Sequence, residues 1–124
     1  MTITAYYPVF FAKDLDEALK RYEALGFQRL HTQDNYAIKT HVLEINENRI
    51  DVFSSKSDAL QAEDGFYSMR VNVREFDEGL AYYRGLGYEI LMGPFDSPSA
   101  KLAILADGKG NRVFLFQHHR KEET

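Results

Sequence analysis

The side chains that could do chemistry are few, and they lie far apart along the chain. Tyr7, His41 and Asp51 could each act as a general acid or base, but no spacing between them indicates a catalytic pair. The two-pronged guanidinium of Arg70 could hold a carboxylate. The absence of cysteine excludes disulfides and thiolate chemistry. These residue types leave the question of enzymatic activity open, and they favour a binding protein over an enzyme.

Composition and charge exclude several classes of partner. A formal net charge of −4, with one short basic run at residues 118–121, argues against binding to nucleic acid. No apolar run approaches the roughly 18 residues that span a bilayer. Residues 1–11 carry neither the basic region nor the small-residue cleavage site of a signal peptide. We therefore expect a cytoplasmic protein that binds neither nucleic acid nor membrane.

The elements that must position these side chains occur twice. Residues 14–27 and 75–88 align without a gap, and each shows the i, i+3, i+4, i+7 apolar spacing of one helical face. Acidic residues crowd both helix starts, and a glycine follows each helix. The aligned identical pairs are Asp16/Asp77, Glu17/Glu78, Leu19/Leu80, Tyr22/Tyr83, Leu25/Leu86 and Gly26/Gly87. The sequence thus predicts one helix repeated in one local setting.

Runs of β-branched and aromatic residues between turn signals predict the strands. Around the first helix, 14–25, the predicted strands are 3–12, 27–33, 36–45 and 49–54. Around the second helix, 75–86, they are 65–74, 88–92, 100–106 and 111–118. Each half therefore has the order β-α-β-β-β.

These elements predict one domain, residues 1–124, built from two modules. The first module is 1–54 and the second is 65–119, joined by a linker at 55–64 and followed by a tail at 120–124. Pro8, which has no N–H, predicts a sheet edge or a bulge in the first strand. Residues 93–99, with two prolines and a glycine, are predicted as a loop.

Several of these features resemble one known family. The D-L-D motif at residues 14–16, the L-G-F and L-G-Y helix ends, and the Asn48-Arg49 and Asn111-Arg112 starts of the closing strands resemble the vicinal-oxygen-chelate superfamily. This family is also known as the glyoxalase/bleomycin-resistance/extradiol-dioxygenase superfamily. The opening Y-P-V-F-F-A-K-D most closely resembles bleomycin-resistance-like proteins, and the resemblance covers residues 3–118. It implies an α+β fold of two βαβββ modules, an eight-stranded half-open barrel with helices outside, and usually a homodimer.

The resemblance also implies where a metal would be held. Metal-using members place His, Glu or Gln on the first and last strands of each module. The matching positions in this sequence are Tyr7, Asp51, Ser68 and Phe114. Only Asp51 is an ordinary ligand for a divalent ion, and a phenylalanine has no lone pair to donate. We therefore expect no metal and no other cofactor.

If these positions face the family's concave cavity, strand alternation assigns its lining. The expected ligand-binding residues are Tyr7, Val9, Phe11, His41, Asp51, Phe53, Ser68, Arg70, Asn72, Phe114 and Phe116. Tyr36, His41 and the 93–99 loop could close over a ligand. The alternative is that Arg70 and Asp51 pair with each other and the polar face is ordinary solvated sheet. A metal site built from His41, Asp51 and an unforeseen third ligand is a further alternative.

These observations favour a metal-free small-molecule-binding protein that sequesters an antibiotic or a metabolite. A planar or partly apolar ligand with one polar or anionic end would suit the expected lining. The alternative is a metal-dependent lyase, isomerase or dioxygenase of the same superfamily. A third hypothesis is an interaction module whose cavity has collapsed.

Overall fold

The helices and strands follow the predicted order. The structure is a computed structural model that describes residues 1–35, 38–55 and 66–119. The first five elements are β1 (Ile3–Phe11), α1 (Leu15–Ala24), β2 (Gln28–Asn35), β3 (Ile38–Ile45) and β4 (Asn48–Ser55). The next five are β5 (Phe66–Val73), α2 (Phe76–Gly85), β6 (Glu89–Asp96), β7 (Ala100–Ala106) and β8 (Arg112–His118). The predicted linker, beyond residue 55, and the predicted tail lie outside the described residues.

The strands of the described residues form one open, mixed sheet. Their order is β2-β3-β4-β1-β5-β8-β7-β6. β1 runs parallel to β4 and β5 runs parallel to β8. The β2/β3, β3/β4, β6/β7 and β7/β8 pairs are antiparallel. Each βαβββ repeat therefore pairs its first strand with its last in the same way, which confirms the α+β class and the predicted eight strands.

The strand that contains Pro8 is not an edge strand, contrary to one of the two predictions. β1 lies between β4 and β5 in the sheet. Its pairing with β4 begins at Val9, one residue after the proline. Before the proline, the carbonyl of Thr2 accepts the N–H of Arg74, the residue that follows β5, at 3.0 Å. Pro8 thus stands where the strand passes from one partner to the other.

The chain divides into two compact units whose boundary differs from that of the predicted modules. The first unit is Pro8–Tyr67, and the second is Met1–Tyr7 with Ser68–Thr124. β1 and β5 each contribute residues to both units. Tyr67, at the start of β5, belongs to the first unit, and its hydroxyl lies 2.6 Å from the hydroxyl of Tyr22 on α1. The boundary therefore falls within strands rather than at a linker.

Each helix packs on one face of the strands of its own unit. In the first unit, Ala18, Leu19 and Tyr22 of α1 cluster with Leu43, Ile50 and Val52. In the second unit, the cluster under α2 comprises Val71, Val73, Phe76, Ala103, Leu105, Val113 and Leu115. We name this side of the strands the helix face and the opposite side the distal face. Because successive strand residues alternate sides, the neighbours of these core residues lie on the distal face.

The ends of the two helices match the expected signals. Asp14 accepts the N–H of Glu17 at 3.1 Å and so caps α1. Gly26 and Gly87, which follow the helices, have φ angles of 107° and 100°, a region that glycine enters without steric cost. Within residues 1–35, 38–55 and 66–119, neither of these ten-residue helices is long or apolar enough to span a membrane.

The prediction of a loop at residues 93–99 is wrong for its first four residues. β6 continues to Asp96, and its Phe95 pairs with Leu102 of β7. Only residues 97–99 form the turn, closed by the N–H of Ser97 donating to the carbonyl of Ala100 at 2.8 Å. β6 ends the strand order, and a proline on such an edge strand can leave the ladder intact. A seven-residue lid is therefore absent from this stretch.

Candidate functional site

The distal face of the second unit carries a row of polar side chains on β5. Val71 and Val73 pack under α2, so Ser68, Arg70 and Asn72 lie on the opposite side. The parallel register with β8 sets Arg70 beside Phe114 and Asn72 beside Phe116. The predicted alternation along β5 is thus confirmed. Two aromatic rings therefore flank the polar row.

Arg70 is held within a group of aromatic rings that we name the arginine cage. Its side chain is 2% exposed. The guanidinium carbon lies 4.1 Å from the ring centre of Phe116, 5.4 Å from that of Tyr7 and 5.7 Å from that of Phe114. These distances fall within the range of cation–π attraction. The cage is therefore an electrostatic as well as an apolar environment for the charge.

A hydrogen bond fixes the orientation of this guanidinium. The Nε–H of Arg70 donates to Oδ1 of Asn72 at 2.8 Å. Asn72 lies two residues along the same strand, so both side chains project from the same face. A guanidinium has five N–H donors in a fixed fork, which suits the two oxygens of a carboxylate. The planar, oriented guanidinium is of a kind that suits a planar anion.

The cage continues along β8 towards its end. The rings of Phe114 and Phe116 are stacked, with centres 6.0 Å apart and an angle of 20° between planes. The His118 ring meets the edge of Phe116 at 4.6 Å. His118 is exposed at the end of the strand, and this ring contact was not anticipated from the sequence. Its spacing of two residues from Phe116 was the available signal, because strand residues two apart share a face.

The first unit presents a different distal face. The parallel register of β1 with β4 sets Val9 beside Asp51 and Phe11 beside Phe53. Phe11 and Phe53 meet edge to face, with centres 5.1 Å apart. Asp51 is 0% exposed among these apolar groups. A buried carboxylate of this kind requires a partner of opposite charge.

Arg49 supplies that charge and was missed from the sequence. Its Nε–H donates to Oδ1 of Asp51 at 2.8 Å, and its Nη2 donates to Oδ2 at 3.2 Å. Each carboxylate oxygen therefore already accepts a hydrogen bond from one guanidinium. The i, i+2 spacing within β4 was the signal that could have revealed this pair. The sequence alternative paired Asp51 with Arg70 instead.

His41 lies on the other face of the same strands. It stands opposite Val52 in the β3/β4 register, and its neighbour Val42 stands opposite Asp51. Cross-strand partners share a face, so His41 lies on the helix face and Asp51 on the distal face. The structure therefore does not bring these two residues together as a site. Tyr36 lies outside the described residues.

The surroundings of His41 favour a neutral ring. Its side chain is 9% exposed, and Nδ1 lies 3.4 Å from the hydroxyl of Thr32. Among the described residues Nε2 has no hydrogen-bond partner. Burial, followed by the charges of Lys39 and Arg29, lowers the pKa of His41. A charged imidazole is therefore disfavoured here.

A cavity of about 430 Å³ lies elsewhere in the second unit, at the start of α2. None of the predicted site residues lines it. Four of the side chains that line it form two pairs: Lys101 with Asp77 at 3.3 Å, and His119 with Asp96 at 2.7 Å. The arginine cage remains the stronger candidate because its charge is buried and oriented.

Comparison with known proteins agrees with this fold. The family model described as the Glyoxalase/Bleomycin resistance protein/Dioxygenase superfamily matches residues 5–115. The chain belongs to this superfamily. A search of curated proteins finds no match.

Solved structures show the same fold at low identity. The chain is similar to methylmalonyl-CoA epimerase from Mycobacterium tuberculosis, with a TM-score of 0.67 and 15% identity over 98% of this chain and 92% of that one. A hypothetical protein from Bacillus halodurans C-125 matches with a TM-score of 0.65 and 15% identity over 98% of both chains. Another methylmalonyl-CoA epimerase matches with a TM-score of 0.58 and 19% identity over 97% of both chains.

The residues at the ligand positions of the superfamily do not fit a divalent ion. In the second unit these positions hold Tyr7, Ser68 and Phe114, which offer no carboxylate or imidazole. The Ser68 hydroxyl is directed to the carbonyl of Met69, 3.5 Å away. In the first unit Asp51 is engaged by an arginine. No three His, Cys, Asp or Glu side chains of the described residues are arranged to hold a metal ion.

Proposed function

We propose that this superfamily member binds a small molecule without a metal ion and holds an anionic, planar end of that molecule at Arg70. The arginine cage is the observation that carries the proposal. A cation buried between rings and oriented by Asn72 is suited to a carboxylate attached to a flat group. Such a protein would act by sequestering a metabolite or an antibiotic. The homodimer and the cytoplasmic location expected from the sequence stay predictions.

The Asp51–Arg49 pair supports the metal-free part of the proposal. A divalent ion beside Asp51 would face the positive charge of a guanidinium that already holds both carboxylate oxygens. Replacing that arginine with a metal would still leave one carboxylate as donor, whereas hard cations need several. The chemistry of the donor set therefore favours binding without an ion.

A matched set of probes tests the anionic end of the ligand. Thermal denaturation would be measured with benzoate, benzamide and benzylamine, which share a ring and differ in charge. A ligand that binds the native state raises Tm by mass action. We expect only benzoate to do so, because it alone of the three probes carries a carboxylate. Equal shifts with the neutral or the cationic probe would contradict an anion site.

Variants then assign the effect to Arg70. Arg70→Met should abolish the benzoate shift, and Arg70→Lys should weaken it because lysine is a point charge without the planar fork. Arg29→Met is the matched control, since this arginine is half exposed and pairs with Glu23 at 2.6 Å. If Arg70→Met kept the benzoate response of the wild type, the assignment would be wrong.

The alternative is a metal-dependent lyase, isomerase or dioxygenase. Likeness in fold to two methylmalonyl-CoA epimerases motivates it. Elemental analysis of protein purified without chelator separates the two functions. Our proposal expects no stoichiometric Ni, Zn, Fe, Mn or Co and no epimerisation of methylmalonyl-CoA. One equivalent of such a metal per chain together with turnover would establish the alternative.

A further inference from the structure

Glu75, the residue immediately before α2, does not cap that helix through its side chain. Glu75 occupies the cap position, yet its side chain makes no hydrogen bond to the helix. The first helical N–H, that of Phe76, instead donates to Oε1 of Gln117 on β8 at 2.7 Å. The side chain of Glu75 can therefore make contacts outside the helix.

The Glu75 side chain instead holds Thr2, the residue that precedes β1. Its Oε1 accepts the backbone N–H of Thr2 at 2.7 Å, and its Oε2 accepts the hydroxyl of Thr2 at 3.2 Å. The N–H of Thr2 is the largest of the causes that lower the pKa of Glu75. The carboxylate thus clamps one residue through two different donors.

Further bonds carry this clamp along β1 towards Arg70. The carbonyl of Thr2 accepts the N–H of Arg74 at 3.0 Å, and the hydroxyl of Thr4 donates to the carbonyl of Asn72 at 3.3 Å. Asn72 is the residue whose side chain orients Arg70. Three residues after Thr4, the Tyr7 ring forms one wall of the arginine cage.

We propose that Glu75 is a positioning residue, which by clamping Thr2 sets the N-terminal half of β1 and thereby the Tyr7 ring against Arg70. Strand ends fray unless they are tied down, and fraying from residue 2 would propagate towards Tyr7. The cation–π contact depends on the distance from charge to ring, so it reports this motion. The inference deepens the proposed function because it rests on Arg70 as the ligand anchor, but its first test needs no ligand.

The test is the NMR signal of the Arg70 Nε–H group. In the wild type the rings should shift this proton upfield, and its hydrogen bond to Asn72 should slow exchange with water. Glu75→Ala should move the signal towards that of free arginine and speed exchange about tenfold, the factor that corresponds to about 1.4 kcal/mol. Glu75→Gln should restore the wild-type signal, since the amide oxygen still accepts the N–H of Thr2.

Asp14→Ala is the matched control on the repeated helix. It removes a cap of α1 that accepts the N–H of Glu17. This variant should lower Tm and leave the Arg70 signal unchanged. If Glu75→Ala behaves in the same way, Glu75 is only a structural residue and the inference is wrong.

A milder variant decides the matter if Glu75→Ala does not fold. Thr2→Val removes only the hydroxyl bond to Oε2 and should give a smaller change of the Arg70 signal in the same direction. An unchanged signal in Thr2→Val would then overturn the inference. A benzoate titration keeps the two proposals apart, because a shifted Arg70 signal in Glu75→Ala without benzoate binding in the wild type would sustain the positioning role and refute the anion site.

Discussion

The two repeats place opposite charges at different strands of their distal faces. In the first, the opening strand is apolar at Val9 and the closing strand carries the buried Asp51. In the second, the aligned positions are reversed in character: the opening strand carries Arg70 and the closing strand carries Phe114. The backbone pairing is the same in the two halves, with each first strand parallel to its last, while the buried charge differs in both sign and strand.

This difference shows how each repeat stabilises a buried charge. Asp51 is neutralised by Arg49, two residues away on the same strand. Arg70 is surrounded by aromatic faces and an amide oxygen. A carboxylate closed by a guanidinium is a structural pair, whereas a guanidinium between rings has a geometry that can accept an anion. The comparison is consistent with a structural role for the first distal face and with the proposed role of Arg70 as a ligand anchor on the second.

The largest difference between the repeats in the loss of stability on truncation is expected at the first residue of each helix. Phe76 is 2% exposed in the second core, and its counterpart Leu15 is only partly buried against the first. We expect Phe76→Ala to lower the free energy of unfolding by about 3–4 kcal/mol and Leu15→Ala by about 1–2 kcal/mol. Urea denaturation measures both. Equal losses would show that the two helices are packed alike.

A smaller loss is expected when the charge pair of the first repeat is broken. Arg49→Met leaves the buried Asp51 without this guanidinium and should cost about 2 kcal/mol. The double variant Arg49→Met/Asp51→Leu should recover most of the loss, because it makes this face apolar as Phe114 does in the second repeat. A double variant less stable than Arg49→Met would contradict a purely structural pair.

The first repeat should also respond to mild acid through His41. The pKa of His41 in the folded chain lies below its ordinary value of 6.5. Just below pH 6.5 the unfolded chain therefore binds more protons than the folded chain, and acid favours unfolding. The stabilisation from the neutral ring is complete above pH 6.5 and is lost as the pH falls towards the folded pKa. Unfolding free energies at pH 7.5 and 5.5 should therefore differ in the wild type. The His41→Gln variant should lack this component.

The smallest effect is expected for an exposed pair in the same repeat. Arg29 and Glu23 form an ion pair at 2.6 Å, but both side chains are well exposed. Exposed pairs contribute little because water screens them. Arg29→Gln should therefore change the free energy of unfolding by less than about 0.5 kcal/mol, in contrast to Arg49→Met. A loss as large as that of Arg49→Met would remove the distinction between buried and exposed arginines.

Much of the fold was predictable because local signals agreed with one another. The apolar spacing of 14–27 and 75–88 and the glycines after them predicted both helices. Alternation placed Arg70 and Asn72 opposite Val71, because β5 has a purely apolar side and a polar one. β3 offered no such signal, since both of its sides mix polar and apolar residues. The face of His41 was therefore decided by pairing with β4.

Glycine and proline residues gave wrong predictions at two places where the neighbouring strands allow them within a strand. Gly93 and Pro94 are ordinary loop residues, yet they lie within β6 because that strand ends the sheet order. Pro8 predicted an edge or a bulge; β1 is not an edge strand, and Pro8 lies in it at the change of strand partner. In both places the effect of a missing N–H depends on the neighbouring strand, which sequence does not specify.

By itself the sequence determined the two similar helices, the order of helices and strands along the chain and the polarity of β5, because these follow from periodicities of one chain segment. It also determined that three of the four metal-ligand positions of the superfamily carry residues other than common ligands. Only the tertiary structure decided that Asp51 pairs with Arg49, that His41 turns to the helix face and that aromatic rings enclose Arg70. The physical reason is that burial and charge pairing depend on which strands become neighbours, and that neighbourhood is a property of the folded chain.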